Sequence, residues 1–148
     1  MGIVICDIDG TLADLTHRRH FVEGGEQDWD SFFYPYNVMQ DKPKHDIIEL
    51  VDTLSIDSEI WLFTGRPEKL RETTEEWLDK YGICRELLWM RPDGDYQSDV
   101  WVKWEMFNRI DPKVQKQVWL VLDDRDRLVK MWRHEFGLTC LQVADGNF

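Results

Sequence analysis

Cysteine is scarce in this 148-residue chain: Cys6, Cys84 and Cys140 are odd in number and lack the close pairing of a structural zinc site. A disulfide-stapled secreted scaffold is thereby excluded, and the thiols read as reduced, in a cytoplasmic protein. No apolar run approaches the roughly 20 residues that cross a bilayer. The N-terminus carries no basic-then-apolar leader pattern, so neither membrane insertion nor export is expected. Positive charge is also in deficit, with 18 Lys and Arg against 29 Asp and Glu and a net charge of −11. Non-specific duplex binding depends on releasing counterions from a basic surface, so that class is disfavoured. An acidic chain remains compatible with recruiting divalent cations and with reading a single phosphate at a strand end. None of the nine glycines is followed by lysine, which removes the P-loop and with it a nucleotide-kinase half. GxGxxG is missing as well, and there is no repeat, linker or low-complexity tract.

What is present is regular alternation. Ile3–Cys6 (IVIC), Ile60–Phe63 (IWLF), Leu87–Met90 (LLWM), Val118–Leu122 (VWLVL) and Thr139–Val143 (TCLQV) read as short buried strands. Between them, HDIIELVDTL, EKLRETTEEWLDKYG, DVWVKWEMFNRI and DRLVKMWRHEFG space apolar residues for helices. Gly82 and Gly137 close two of these and Pro67 opens one. Strand–helix alternation predicts an α/β fold, a parallel sheet with helices on both faces in three Rossmann-like layers. The length suits one domain over 1–148, burying roughly two thirds of its unfolded surface.

One segment breaks the rhythm. Leu15–Pro43 is too long for an ordinary strand–helix loop and holds Gly24, Gly25, Pro35 and five aromatics between Trp29 and Tyr36. Long ordered loops in compact domains are commonly lids or binding loops. The segment is read as a small insertion after the first strand, at about 15–43, covering the site. The alternative is a helical pad that only covers a sheet edge.

The informative polar residues fall at strand ends. IVIC runs into Asp7, IWLF into Thr64-Gly65-Arg66, and VWLVL into Asp123-Asp124-Arg125, while Lys103 lies on the helix before VWLVL. Open parallel sheets bind ligands at the carboxyl ends of their strands. Asp7, Asp9, Thr64, Asp123 and Asp124 would therefore converge although distant in sequence. Four crowded carboxylates need a counter-ion, and hard oxygen donors select Mg²⁺. The hydroxyl and amides of Thr64-Gly65, with the Lys103 ammonium, could hold phosphoryl oxygens. One carboxylate facing phosphorus can form an aspartyl-phosphate. Residues i and i+2 of an extended segment share a side, so of Asp7 and Asp9 one could attack while the other manages protons. Gly10 permits the sharp turn that follows. DIDGTLADLTHR does not suit an EF-hand loop, having its Gly at the fourth position and Arg18 at the twelfth.

In combination, DIDGT, TGR, Lys103 and LDD resemble the haloacid dehalogenase (HAD) superfamily of phosphotransferases. DIDGTLAD with Arg18, DVWVKWEMF with Asp99 and Lys103, DDRDRLVKMWR and the closing CLQVADGNF are similar, more narrowly, to the 3′-phosphatase half of phage-type polynucleotide kinase–phosphatases. The resemblance implies an HAD-like fold, Asp7 as nucleophile and Asp9 as general acid/base. It implies Mg²⁺ held by the Asp7 carboxylate, the Asp9 backbone carbonyl, and the carboxylate of Asp124 or Asp123. Thr64 and Lys103 would grip the phosphoryl group, with Gly10, Thr11 and Gly65 beside the substrate. Asp99 would orient Lys103 through an i,i+4 pair. Arg18 and Arg66 match positions that assist binding of the substrate phosphate or backbone. The kinase half of that family has no counterpart, so only the phosphatase step is expected.

The expected substrate is a phosphorylated nucleic-acid end, with a free (deoxy)nucleotide as the rival; no obligate protein partner is inferred. A non-catalytic phosphate-binding protein would lack Asp7 or Asp9, and both are present. His17 and His20, without a third ligand, are read as loop residues. Trp29, Phe32, Phe33, Tyr34 and Tyr36 are assigned to core packing ahead of base stacking. Trp77, Trp101, Trp104 and Trp132 are assigned to the core.

Overall fold

A computed structural model describes all 148 residues. In chain order its strands are β1 (Gly2–Cys6), β2 (Ala13–Asp14), β3 (Lys42–Pro43), β4 (Ser58–Pro67), β5 (Leu87–Arg91), β6 (Val118–Asp123) and β7 (Cys140–Gln142). Its α-helices are α1 (Trp29–Phe32), α2 (Pro35–Met39), α3 (His45–Leu54), α4 (Arg71–Lys80), α5 (Asp99–Asn108), α6 (Pro112–Gln115) and α7 (Asp126–His134).

The five apolar runs form one sheet in the order β5-β4-β1-β6-β7, and every pairing in it is parallel. β1 is central and nearly fully buried. Alternate side chains explain why both faces must be covered. Ile3, Ile5, Trp61, Phe63 and Val121 pack on one side with α5 and α7, whereas Val4, Cys6, Ile60, Leu62, Leu120 and Leu122 pack on the other with α3 and α4. The two clusters hold 15 and 14 buried residues, so neither layer is a minor cover. A sheet enclosed this way reads as continuous apolar runs instead of alternating ones. The three cysteines are free, and no helix is long and apolar enough to cross a membrane.

Two local differences from the sequence reading matter. β4 runs on to Pro67, so Thr64, Gly65 and Arg66 lie within the strand, in a stretch where pairing with β5 lapses between Phe63 and Pro67. Trp101 is not core: it is 42% exposed and stacks on Trp104 at 4.9 Å. α5 carries apolar residues all round, and Val102, Lys103, Met106 and Phe107 form its inward face.

The segment after β1 is closed at its base by a two-residue antiparallel ribbon, β2 with β3. A 3₁₀ turn (Thr16–Phe21), α1 and α2 fill it. Its aromatics are divided. Phe32 is buried and Trp29 stacks on Phe33 at 5.9 Å, but Tyr34 and Tyr36 are 59% and 68% exposed and contribute little to packing.

Candidate active site

β1 delivers Asp7 directly from the centre of the sheet, and the Asp7 amide donates to Leu122 O of β6 at 3.0 Å. The chain then turns tightly: Gly10 has φ +85°, and a Cβ there would lie inside the Asp124 carboxylate. Only glycine combines that backbone with that approach. Thr11, wholly buried, donates from Oγ1 to Asp7 Oδ2 at 3.1 Å.

β6 delivers Asp123 and Asp124 beside Asp7. Carboxylate oxygens of the three lie within 4.8 Å of one another, and each residue is at most 6% exposed. One cation answers them from the protein. Lys103, on the inward face of α5, places Nζ 2.7 Å from Asp7 Oδ1 and 3.2 Å from Asp123 Oδ2. Three carboxylates against one ammonium leave two negative charges uncompensated in a buried cluster. That is the deficit a divalent cation with oxygen ligands fills, and a divalent metal fits these residues. Burial pushes the Asp7 carboxyl well above its ordinary range; Lys103 opposes this, and Asp123 and Asp124 reinforce it. Asp124 is raised by burial and then by Asp123. Burial acts against the Lys103 charge, but Asp123 and Asp7 outweigh it and hold the ammonium firmly protonated.

Asp123 and Asp124 are not equivalent. Asp123 Oδ1 accepts from the Asp124 amide at 2.9 Å, and its Oδ2 accepts from Lys103 and from Trp132 Nε1, each at 3.2 Å. Both its oxygens are thus engaged from within. Asp124 instead lines the cavity.

Asp9 faces elsewhere. Its carboxylate accepts from Arg66 Nη2 at 2.6 Å, Arg66 Nε at 3.1 Å and Arg18 Nη2 at 3.1 Å. Burial opposes its ionisation and is the largest single influence. The charges of Arg66 and Arg18 and the Arg66 hydrogen bonds together prevail, holding the carboxyl at about 2. Both guanidinium groups are 0% exposed, so Arg18 and Arg66 do not stand on the cavity wall; they hold Asp9. Asp99 likewise departs from the sequence reading. It pairs with Arg91 Nη2 at 2.5 Å and Arg125 Nη1 at 2.6 Å, and Lys103 instead reaches Asp7 and Asp123. Thr64 is fully buried and its hydroxyl accepts from the Arg66 amide at 3.2 Å.

A cavity of about 910 Å³ opens over this centre. Asp7, Asp9, Gly10, Gly65, Asp99, Lys103 and Asp124 line it, with Thr11, Thr64 and Asp123 buried around it. The insertion supplies Leu15, Arg19, Trp29 and Phe33 to the wall; the loop after β5 supplies Tyr96, which is 95% exposed. Arg19, Lys69, Arg91, Arg125 and Arg127 also line it, matched by Glu23, Asp30, Asp93, Asp95 and Asp99, and Arg91 and Arg125 are both paired with Asp99. Sequence reasoning missed two contributors. Arg91 braces the loop through Gly65 O, Asp95 O and Gln97 O. Asp41 is the second carboxylate facing Arg18 and Arg66. Charge counting offered a signal for the latter, since two buried arginines require more than one acid.

A parallel sheet of this order, with an acidic cluster at the carboxyl end of its central strand, has the architecture of an HAD-like α/β fold. Solved structures of that fold bear this out at the level of architecture. A haloacid dehalogenase-like hydrolase from Streptococcus pneumoniae superposes with a TM-score of 0.64 at 15% identity, over 95% of this chain and 83% of that one. Over residues 1–148 the chain matches the family described as the polynucleotide kinase PNKP phosphatase domain, and it belongs to that family. A chain from the Pnkp1/Rnl/Hen1 complex is 34% identical with a TM-score of 0.80, over 99% of this chain and 47% of that one. A protein of Autographa californica nuclear polyhedrosis virus, bearing the name bifunctional polynucleotide kinase/RNA ligase, is 33% identical over 133 residues, 88% of this chain and 17% of that protein. The chain therefore spans less than half the length of these relatives.

Proposed function

We propose that this chain removes the 3′-phosphate from a nucleic-acid end, through a phosphoaspartyl intermediate on Asp7 with Mg²⁺ as its metal. The observation that carries the reading is the buried Asp7–Asp123–Asp124 cluster beside Lys103 at the floor of a cavity whose wall mixes charges of both signs with aromatics. Mg²⁺ would be held by Asp7, Asp124 and the Asp9 main chain, where it would favour ionised Asp7 and neutralise phosphoryl oxygens. Asp124 is preferred to Asp123 because it faces the cavity while both Asp123 oxygens are occupied.

The protein groups divide the remaining work. An Asp7 carboxylate oxygen attacks phosphorus as the bond to the leaving oxygen breaks, and Asp9 gives that oxygen its proton. Asp9 then takes a proton from water, whose oxygen attacks the same phosphorus, releasing phosphate and restoring Asp7. The arginines hold Asp9 ionised in the free site. An arriving phosphate dianion beside it favours the protonated form that can donate. Lys103, which lines the cavity, steadies the phosphoryl oxygens, while Thr64, fully buried, holds the Arg66 amide. At the mouth, Trp29 and Tyr96 offer faces on which unpaired bases can stack, and the surrounding arginines meet the backbone.

Turnover of a 3′-phosphorylated oligonucleotide, free nucleotides and an aryl phosphate by the purified chain tests this. Preference for the oligonucleotide is expected, and preference for free nucleotides would defeat the substrate assignment. Asp7→Asn should abolish turnover and the acid-stable labelling of the chain by radiolabelled phosphate, while leaving the fold intact. The relatives at 34% identity come from a complex named with Rnl and Hen1. Turnover by this chain alone decides whether companions are required here.

A further inference from the structure

The closing CLQVADGNF motif takes no part in phosphoryl transfer, yet its phenylalanine stands on the cavity wall. Beyond β7 the chain lies along the turn that follows β6. The Val143 amide donates to Asp123 O at 3.1 Å, and the Asp126 amide donates to Gly146 O at 2.7 Å. Gly146 presses so closely on this turn that a Cβ would overlap the Asp124 carbonyl. Phe148 is thereby fixed, and its carbonyl accepts from Arg125 Nε at 2.7 Å. Two guanidinium groups flank its ring, with Cζ of Arg19 4.6 Å and Cζ of Arg125 5.2 Å from the centroid. The two arginines differ in what their charge meets. Arg125 is paired with Asp99 at 2.6 Å, an acid it shares with Arg91. Arg19, on the 3₁₀ turn of the insertion, has only Glu23, 3.9 Å away in an exposed pair of the kind that contributes little. A ring face attracts a guanidinium without neutralising it and leaves the in-plane N–H donors free. Arg19 is thus held in place with its charge uncommitted. It borders both the main cavity and an adjoining one of about 200 Å³, and Gly10 and Asp124 border both as well, which places it beside the Asp124 turn.

We infer that Arg19, held by Phe148, receives the phosphodiester joining the terminal nucleotide to its 5′ neighbour, and so selects a polynucleotide end over a free nucleotide. The planar fork of a guanidinium matches two oxygens of such a group. That inner anion is the charge that a chain end carries and a 3′-mononucleotide lacks. Phe148 is the positioning residue: it aims Arg19 without drawing off the charge that the linkage needs. This rests on the chain being a 3′-phosphatase of nucleic-acid ends, and it adds how that class of substrate is told from its rival.

Two 3′-phosphorylated dinucleotides test it, one with an ordinary phosphodiester and one with a methylphosphonate linkage, which carries no charge. The ratio of their kcat/KM values, measured with Mg²⁺ at low ionic strength, isolates that charge, and any loss of folded protein cancels. The wild type is expected to favour the charged linkage about tenfold, the size of effect given by a charge-assisted hydrogen bond. Arg19→Gln should bring the ratio close to one, and Arg19→Lys should recover part of it. Phe148→Leu keeps apolar volume but removes the ring face, and should lower the ratio at least about threefold, whereas Phe148→Tyr should preserve it. If the wild type handles both dinucleotides equally, or the ratio survives Arg19→Gln or Phe148→Leu, the inference fails and the 3′-phosphatase reading stands. If neither dinucleotide is dephosphorylated while p-nitrophenyl phosphate is, the substrate assignment itself has failed and the inference falls with it.

Discussion

Lys103 Nζ lies 2.7 Å from Asp7 Oδ1, joining the middle of α5 to the first residue beyond β1 across 96 positions of sequence. The pair is buried, and the same ammonium also answers Asp123. Lys103→Met should therefore cost more than a contact, because it strands two buried carboxylates. Removing one partner of such a pair typically costs about 3–5 kcal/mol. Chemical denaturation without metal should show a loss of that order, and Mg²⁺ should recover part of it by binding the folded form. Activity should fall whether or not stability is recovered.

The two adjacent acids of β6 should separate under a metal titration. Asp124→Asn is expected to abolish the rise in Tm that Mg²⁺ gives the wild type, with little change in the metal-free Tm. Asp123→Asn should lower the metal-free Tm, since Lys103, Trp132 and the Asp124 amide all lean on that carboxylate. The reverse pattern would assign the metal to Asp123.

Stability should depend on pH with two opposed signs. Asp9, held at about 2 against an ordinary 3.8, contributes about 2 kcal/mol above its unfolded value, lost as pH falls through its folded value. Asp7 and Asp124 are raised, so their contribution is present below 3.8 and is lost as pH rises through their folded values. Urea midpoints in EDTA should thus decline from mildly acidic pH towards neutrality. Saturating Mg²⁺, which favours the ionised acids, should flatten that decline; a metal-free profile already flat would count against the raised carboxyls.

Gly10→Ala tests the turn. A side chain at φ +85° costs about 1–2 kcal/mol, and its Cβ must displace the Asp124 carboxylate. A fall in Tm should accompany at least a tenfold higher Mg²⁺ requirement in the phosphatase assay.

The sheet was legible because both its faces are buried, which turns β1, β4 and β6 into unbroken apolar words ending in Asp7, Thr64 and Asp123. Glycine and acid at those endings then pointed to one rim. Other features had no such spelling. The inward face of α5 could not be told from its outward one while Trp101, Val102, Trp104, Met106 and Phe107 crowd every side. Asp41 and Arg91 are single charges in connecting segments, identical on paper to any solvated residue. Their roles depend on partners distant in sequence, among them Arg66 and Gly65, 25 and 26 positions away respectively. Asp99 shows the opposite error: helical spacing to Lys103 was correct, yet two arginines outcompeted it.

The narrow β2–β3 ribbon looks like an ideal place to splice in a foreign cap, since both ends of the intervening segment meet there. Yet Arg18 and Asp41 belong to that segment and complete the ion pairs around Asp9. A transplanted cap would arrive without them, so exchange at this joint should yield a folded scaffold with a disabled acid–base apparatus unless both residues travel along.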